Sequence, residues 1–387
     1  MKNFVTIEGR ALAAAMKLAN AIVERRNTIP ILSHVKITHD KDGIAITGTD
    51  LDIYITQRLD VIDGAGDWSV CVRADLLYSI ARAAGVANVR IEPATIEIEM
   101  RQARKNPATM DVAKITIGDN DAFYELQTLP ETDFPEDGGG KRTIVIDTFT
   151  NGMLAAQLSK VAYCISTEET RYYLNGIFWD LSHGQRSFVA TDGHRLACCR
   201  YSKEEAPSPA VSRIIPRKTC NFIMRHLTGK DVTVFSVEKE NYIEIVAPGI
   251  VIRSKLIDGT YPDYRHVIPE NRNLEYSFEF KRQELLTAIS QVGVLATERG
   301  RAIRFFRRDA RVALESKNPD FGSATVATQA VWPDEAAPSF SININYTRDV
   351  ISTCLEDITL HMVDAGSPFF IKDADEDMTR VLMPMRV

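Results

Sequence analysis

The chain has 387 residues, with 46 Lys and Arg against 52 Asp and Glu, a net charge of −6, and hydrophobic and charged contents of 45% and 25%. That length allows two or three domains, each with its own core. No run of 18 apolar residues occurs, which argues against a membrane span, and Met1–Gly9 lacks the apolar core of a signal peptide. In chain order, the first predicted element is a helix on which Leu12, Met16, Ala19 and Val23 form one apolar stripe, stepping by 4, 3 and 4. Strand-like alternation follows over Ile31–Thr38, Gly43–Thr47 and Asp52–Arg58, then a second helix over about Arg73–Ala84. Phe134–Lys141 (FPEDGGGK) reads as a linker.

The same stripe returns at Leu154, Leu158, Val161 and Ile165. Strands are predicted over Leu174–Leu181, Ser187–Ala190 and Leu196–Tyr201, with a helix over Arg217–Thr228. Tyr261–Asn273 (YPDYRHVIPENRN) reads as a second linker. The third round has Leu285, Ile289, Val292 and Ala296, strands over Ala302–Arg307, Arg311–Glu315 and Ala324–Ala330, and a helix over Tyr346–Leu355. The stripes start 142 and 131 residues apart, a domain-sized period. Three rounds of helix, strands, helix, strands predict an α+β protein of three similar domains, with two helices on one face of antiparallel sheets in each.

The six cysteines (Cys71, Cys164, Cys198, Cys199, Cys220, Cys354) are scattered without a CxxC pair and read as reduced core thiols of a cytosolic protein. Basic residues gather on or beside the repeated helices, while Asp119–Asp121, Glu131–Asp137, Glu204–Glu205 and Asp373–Asp377 are acidic. Six helices packed in a circle at roughly 10 Å spacing span only ~19 Å and leave a hole of roughly 9 Å. A DNA duplex is wider than roughly 16 Å, the sum of its two groove depths. Twelve helices, from two chains, would leave a hole near ~28 Å. If the repeat closes around a duplex, two chains are needed.

Six motifs then occur in order: TIPIL at Thr28–Leu32, GTDL at Gly48–Leu51, RYYLNG at Arg171–Gly176, ATDGHRLA at Ala190–Ala197, SKLIDGTYPDYRHV at Ser254–Val267 and MPMRV at Met383–Val387. Together they resemble the bacterial DNA polymerase III beta subunit family, the sliding clamps, over the full length. The resemblance implies the DNA clamp fold in domains 1–138, 143–265 and 266–387, with helices inside, sheets outside, and a head-to-tail homodimeric ring around duplex DNA. It implies a cytoplasmic, non-enzymatic processivity factor without cofactor or metal. Its partners would be DNA, read without sequence preference, and the replicative polymerase, clamp loader and repair proteins, each bound through a short peptide.

Carried over by position, the peptide pocket would comprise Leu174, Thr191, Gly193, His194, Arg195, Leu196, Pro262, His266, Val267, Met383, Pro384, Met385, Arg386 and Val387. Apolar side chains there suit peptide anchors, and His194 and Arg195 offer a polar rim. Read alone, MPMRV is a packed last strand, and the tail can be both. DNA contacts would come from Arg26, Arg171, Tyr172 and Tyr173, with Lys17, Lys160, Arg217 and Lys218 adding a positive field; core packing is the competing role for the tyrosines. The dimer interface would set Tyr124 and Leu126 against Val294 and Leu295 of the other chain, although all four also suit an intradomain core.

Asp192 and His194 invite an acid–base or metal reading, but Asp192–Gly193 is a turn signal between strand positions, with no nucleophile elbow or metal-spaced His pair nearby. His266 stands where the family often has Arg, and Val387 where Leu is common. Arg101–Asn120 reads as an extended hairpin. A clamp-fold protein that binds partners without encircling DNA is the runner-up, which would not need Arg26, Lys160 and Lys218 on one surface.

Overall fold

Each predicted helix forms, and each follows on a strand that the apolar stripes did not announce, directly except at α3, where three residues intervene. In this computed structural model the described residues are 2–24, 28–98, 108–118, 122–138, 140–182, 186–203, 211–239, 241–268, 274–296 and 301–385. The helices are α1 (Gly9–Ala19), α2 (Ala74–Ala84), α3 (Met153–Val161), α4 (Arg217–His226), α5 (Arg282–Val292) and α6 (Ile344–Ser352). The strands before them are Phe4–Glu8, Trp68–Arg73, Arg142–Phe149, Arg213–Pro216, Tyr276–Lys281 and Phe340–Asn343. Three further strands follow every helix, with one short extra strand, Asp63–Ala65, after those of α1, so one strand–helix–three-strand module is repeated along the chain. These lead strands are short and run straight into a helix, so a period-2 signal has no length in which to show itself.

The stripes behave as helix cores, but each helix stops before its fourth stripe residue. Leu12, Met16, Leu158, Val161, Ile289 and Val292 are fully buried. Burying such a side chain contributes about 1.5–3 kcal/mol. Beyond α1, Ala21 and Ile22 donate to Leu18 and Ala19, three residues back; Ile165 donates to Ala162, and Ala296 to Gly293. The chain tightens into a 3-10 turn at all three places. Val23 and Ile165 still reach the core from beyond the turn. Gly293 permits this after α5, because a Cβ there would meet Ile344 Cδ1 of α6 at 2.7 Å.

Modules interlock in pairs. The lead strand of each pairs with the three strands of its neighbour: Phe4–Glu8 lies beside Asn88–Ile98, and Trp68–Arg73 beside His34–Asp40. The result is a series of four-stranded antiparallel sheets. The predicted strand starts at Ile31 and Leu174 move inward, because Pro30–Ser33 and Glu169–Leu174 are 3-10 turns. Within the stretch expected as a hairpin, Ala108–Ile117 is a strand paired with Asn88–Ile98; residues 101–107 and 119–120 lie outside the described residues.

The chain forms two compact units, Met1–Met153 with Arg225–Leu256, and Leu154–Met224 with Ile257–Val387. The first unit's sheet has 13 strands and the second unit's sheets have 8 and 4 among the described residues. The middle third is therefore shared between the units. Its strand Ile250–Lys255 pairs with Ile53–Leu59 in the first unit, and its strand Arg195–Arg200 with Met378–Leu382 in the second. Both joints are antiparallel and join the last strands of two modules. The last strands of the two remaining modules, Ala122–Leu129 and Gly322–Val331, have open edges: among the described residues, 122–127 pair only with Ala108–Ile117, and Gly322–Val331 only with Arg311–Asn318.

The expected linkers are docked against their units. Phe134 is buried, the Glu136 carbonyl accepts from Tyr54 Oη at 2.9 Å, and Asp137 pairs with Arg253 at 2.6 Å. Arg253 also holds the buried Glu244, which pairs with Arg142. In the other linker Tyr261, Tyr264 and Ile268 are buried. Residues 269–273 lie outside the described residues. Polar composition does not report whether such a segment is anchored. Among the described residues no helix is long and apolar enough to cross a membrane.

Candidate functional site

The turn Asp192–His194 is a rigid polar knot. Asp192 Oδ1 accepts from the His194 and Arg195 backbone N–H groups at 2.9 and 3.0 Å, and Oδ2 accepts from Arg195 Nε at 2.9 Å. Thr191 Oγ1 donates to the Arg195 carbonyl at 2.7 Å and accepts from Gly193 N. Gly193 has φ +88°, and a Cβ there would also meet Arg171 Nη1 at 2.6 Å. Asp192 is thus spent on its own turn, as Asx turns are. Burial pushes the neighbouring thiols upward, Cys198 to about 11 and Cys199 to about 12, so neither is a nucleophile near neutral pH.

The tail of the chain is stitched onto this knot. Met378–Leu382 pairs with Arg195–Arg200, Met383 N donates to the His194 carbonyl at 2.9 Å, and Met385 N donates to the Ser341 carbonyl at 2.7 Å. A third segment closes the other side. Asp180, 1% exposed, accepts from Ser182 N and Oγ, Ser212 Oγ, Tyr264 Oη at 2.8 Å and Arg265 Nη2 at 2.7 Å. Burial alone would raise its pKa, but the bonds from Ser182, Tyr264 and Ser212 outweigh it and hold the carboxyl below the ordinary range. This anchor fixes Tyr264–Arg265, and with them Pro262, His266 and Val267.

Between the three segments lies a cavity of about 430 Å³, lined by Leu174, Thr191, Gly193, Arg195, Leu196, Pro262, His266, Val267 and Met383 together with Arg171, Tyr173, Asp263, Tyr264, Pro368 and Val381. The charges around it are paired internally. Arg195 meets Asp192 and, at 2.6 Å, Asp349, and stacks over Tyr346 at 4.6 Å; Arg171 meets Glu168 at 2.7 Å. His266 is 84% exposed beside Asp263. The space that remains is apolar and suits one or two anchor side chains. A larger cavity of about 680 Å³ includes Arg200, Lys372, Asp373, Asp375, Glu376 and Arg380 in its lining and is a poor host for such anchors.

Of the residues expected in the pocket, His194 stacks instead on Tyr346 (5.7 Å between centroids), and Pro384 and Met385 continue the tail beyond the lining. Arg386 and Val387 lie outside the described residues. Arg171 and Tyr173, assigned to DNA by position, line the cavity; Tyr172 beside them is 54% exposed. Asp263, Tyr264, Pro368 and Val381 were missed. Asp263 and Tyr264 lie inside a quoted motif, whereas nothing local marks Pro368 or Val381.

Among the other DNA candidates, Lys17 is exposed on the last turn of α1 and Arg217 and Lys218 are exposed on the first turn of α4, while Lys160 at the end of α3 is paired with Asp375 at 2.6 Å. Arg26 lies outside the described residues. Of the expected interface, Tyr124 and Leu126 are half-buried against the core of the first unit. Val294 is 81% exposed after α5, with Leu295 half-buried beside it.

The scaffold is a series of repeated strand–helix modules, with an apolar cavity beside the C-terminal tail. Family models described as DNA polymerase III beta subunit, N-terminal, central and C-terminal domain, match residues 3–137, 148–263 and 265–386. The chain is 30% identical over 393 residues to the beta sliding clamp of Caulobacter vibrioides, covering 99% of this chain and all of that one. It is 28% identical over 386 residues to that of Pseudomonas aeruginosa, covering 99% of each. A crystal structure of the Pseudomonas aeruginosa sliding clamp bound to griselimycin superposes with a TM-score of 0.87 at 26% identity, over the full length of both chains. One from Bartonella birtlesii, also bound to griselimycin, gives 0.86 at 29%, again over both full lengths. The chain belongs to the DNA polymerase III beta subunit family, the beta sliding clamps. It has the three-domain clamp fold, and its role is that of a polymerase processivity factor, not an enzyme.

Proposed function

We propose that two copies of this chain close head to tail around duplex DNA, and that the cavity beside the C-terminal tail captures short peptides of the polymerase, clamp loader and repair proteins. Each chain then comprises domains 1–138, 143–265 and 266–387; the three matched family ranges support that division. The observation that carries the ring is the pair of open strand edges. Two joints within the chain already unite last strands of modules. Ala122–Leu129 and Gly322–Val331 are the last strands left over, and open edges invite pairing with another chain. An edge from the first domain meeting one from the third is a heterologous contact, which closes when repeated twice. Apolar side chains exposed nearby fit such a joint: Phe123 and Val294, with Phe321 and Val331 at 69% and 67%.

Lys17, Arg217 and Lys218 are the residues proposed to face DNA without reading its sequence. Two cations on the first turn of α4 oppose the helix macrodipole; an anion bound at that end reverses the sign of the effect. Six free, buried cysteines suit the reducing cytoplasm.

Light scattering is expected to give a mass near twice 43.3 kDa at micromolar concentration. The double change Val294→Ala and Leu295→Ala should shift the population to monomer, since interface anchors are worth roughly 2 kcal/mol or more each. A wild-type chain that stays monomeric contradicts the ring. Once loaded on closed circular DNA, the protein should survive a rise in salt and leave when the circle is cut. Equal salt sensitivity on circles and on short linear duplexes would mean that binding is only electrostatic.

A further inference from the structure

Lys160, at the end of α3, already holds an anion. Its Nζ lies 2.6 Å from Asp375 Oδ2, with the two side chains 36% and 21% exposed. Burial pulls the lysine pKa down, but the hydrogen bond it donates to Asp375, with the negative charge around it, raises it above the ordinary value, so the ammonium stays charged. Asp375 sits in the turn between Phe369–Lys372 and Met378–Leu382, where Asp373-Ala374-Asp375-Glu376-Asp377 puts four carboxylates into five residues. The turn is held in place. Asp373 is buried against Arg380 at 3.0 Å, Asp375 N donates to Asp373 Oδ1 at 3.1 Å, and Arg200 N donates to the Asp377 carbonyl at 2.9 Å. Glu376 and Asp377 are exposed beside it.

To an ammonium group a carboxylate and a phosphate are interchangeable partners, each making a charge-assisted hydrogen bond. We infer that the acidic turn Asp373–Asp377 occupies, on Lys160, the place that a DNA phosphate would take, and so weakens the direct grip of the chain on the duplex. The inference rests on the reading that α3 and α4 face DNA. The built-in anion competes for the one cation it covers, and the exposed Glu376 and Asp377 repel the phosphate backbone as it approaches. A ring that holds DNA by enclosing it gains from this, because each phosphate gripped firmly slows sliding.

The test measures affinity of the intact protein for a short labelled linear duplex across a salt series, with thermal melts to check folding of every variant. Asp375→Asn is expected to tighten binding roughly three- to tenfold at low salt and to steepen the log–log salt slope by about 1, as one extra phosphate contact should. Lys160→Met alone should not tighten binding; it leaves Asp375 unpaired, one more carboxylate facing the backbone, and should weaken affinity modestly. The double variant should return to wild-type affinity. An Asp375→Asn protein that binds as wild type does, or a double variant that binds as tightly as Asp375→Asn alone, overturns the inference. Arg217→Ala and Lys218→Ala separate the two levels. If they weaken binding while Asp375→Asn does nothing, only the masking idea fails; if they too have no effect, the DNA-facing reading fails and takes this inference with it.

Discussion

Ending the chain at Leu382 is expected to abolish capture of partner peptides while leaving the fold and the dimer intact. Met383 forms one wall of the cavity and is fixed by its N–H on the His194 carbonyl. Met385 is fixed in the same way on Ser341. Removing Met383–Val387 opens the cavity to solvent on that side and strips away the adaptable thioether surface that an apolar anchor would fill. The strand Met378–Leu382 keeps its pairing with Arg195–Arg200, and neither open edge proposed for the dimer includes the tail. A peptide that orders on binding should hold wild type with a dissociation constant on the order of micromolar. The truncated chain should lose roughly 100-fold or more, about 2.7 kcal/mol. Fluorescence anisotropy with a labelled peptide carrying Leu or Phe anchors measures it. Unchanged binding would put the peptide site elsewhere on the chain.

Replacing Asp180 should produce the largest change in stability. Five donors converge on this buried carboxylate, and Asp180→Ala leaves them without their acceptor. Breaking a buried ion pair from one side costs roughly 3–5 kcal/mol. Arg265 is 35% exposed, so water can rescue its guanidinium, and the low end, about 3 kcal/mol, applies here. The melting temperature should fall by roughly 10 °C. The pH dependence has a definite sign. Asp180 is held below the ordinary carboxylate value, so its contribution is complete above about pH 4 and fades as acid carries the pH through the lower folded-state value. Asp180→Asn should therefore lag wild type most at neutral pH, with the gap closing in acid. A constant gap would mean that the carboxylate charge is not what matters. Peptide affinity should fall with stability, because Asp180 positions Pro262, His266 and Val267 without touching the bound peptide.

The legible parts of the fold were those with a long period. The stripes at Leu12, Leu154 and Leu285 announced the helices and the domain-sized repeat, and alternation placed the starts of Gly43–Thr49 and Arg311–Asn318, which run two and three residues further than predicted. Lead strands such as Phe340–Asn343 escaped because four residues carry almost no periodicity. Which strands meet across modules also escaped: nothing local in Ile250–Lys255 points to Ile53–Leu59, since register over such distances follows from the packed whole. At the cavity, the motif ATDGHRLA located the wall, and the turn chemistry of Asp192–Gly193 gave its geometry. The sequence could not say that Arg195 is spent on Asp192 and Asp349, that His194 lies on Tyr346, or that Asp375 reaches Lys160. Each of these is a contact between segments whose nearness only the folded chain creates.

The strand joints differ in one respect that their geometry hides. Joints between strands of one chain are tethered, and tethered partners meet at an effective concentration in the millimolar range whatever the amount of protein present. The two joints proposed between copies have no tether and answer only to the bulk concentration. Dilution should therefore part the ring at those two places first, with Ile250–Lys255 still on Ile53–Leu59 and Arg195–Arg200 still on Met378–Leu382. Fusing two copies in tandem would tether one of the two seams and leave the other as a single gate, with an opening that no longer depends on how much protein is in the tube.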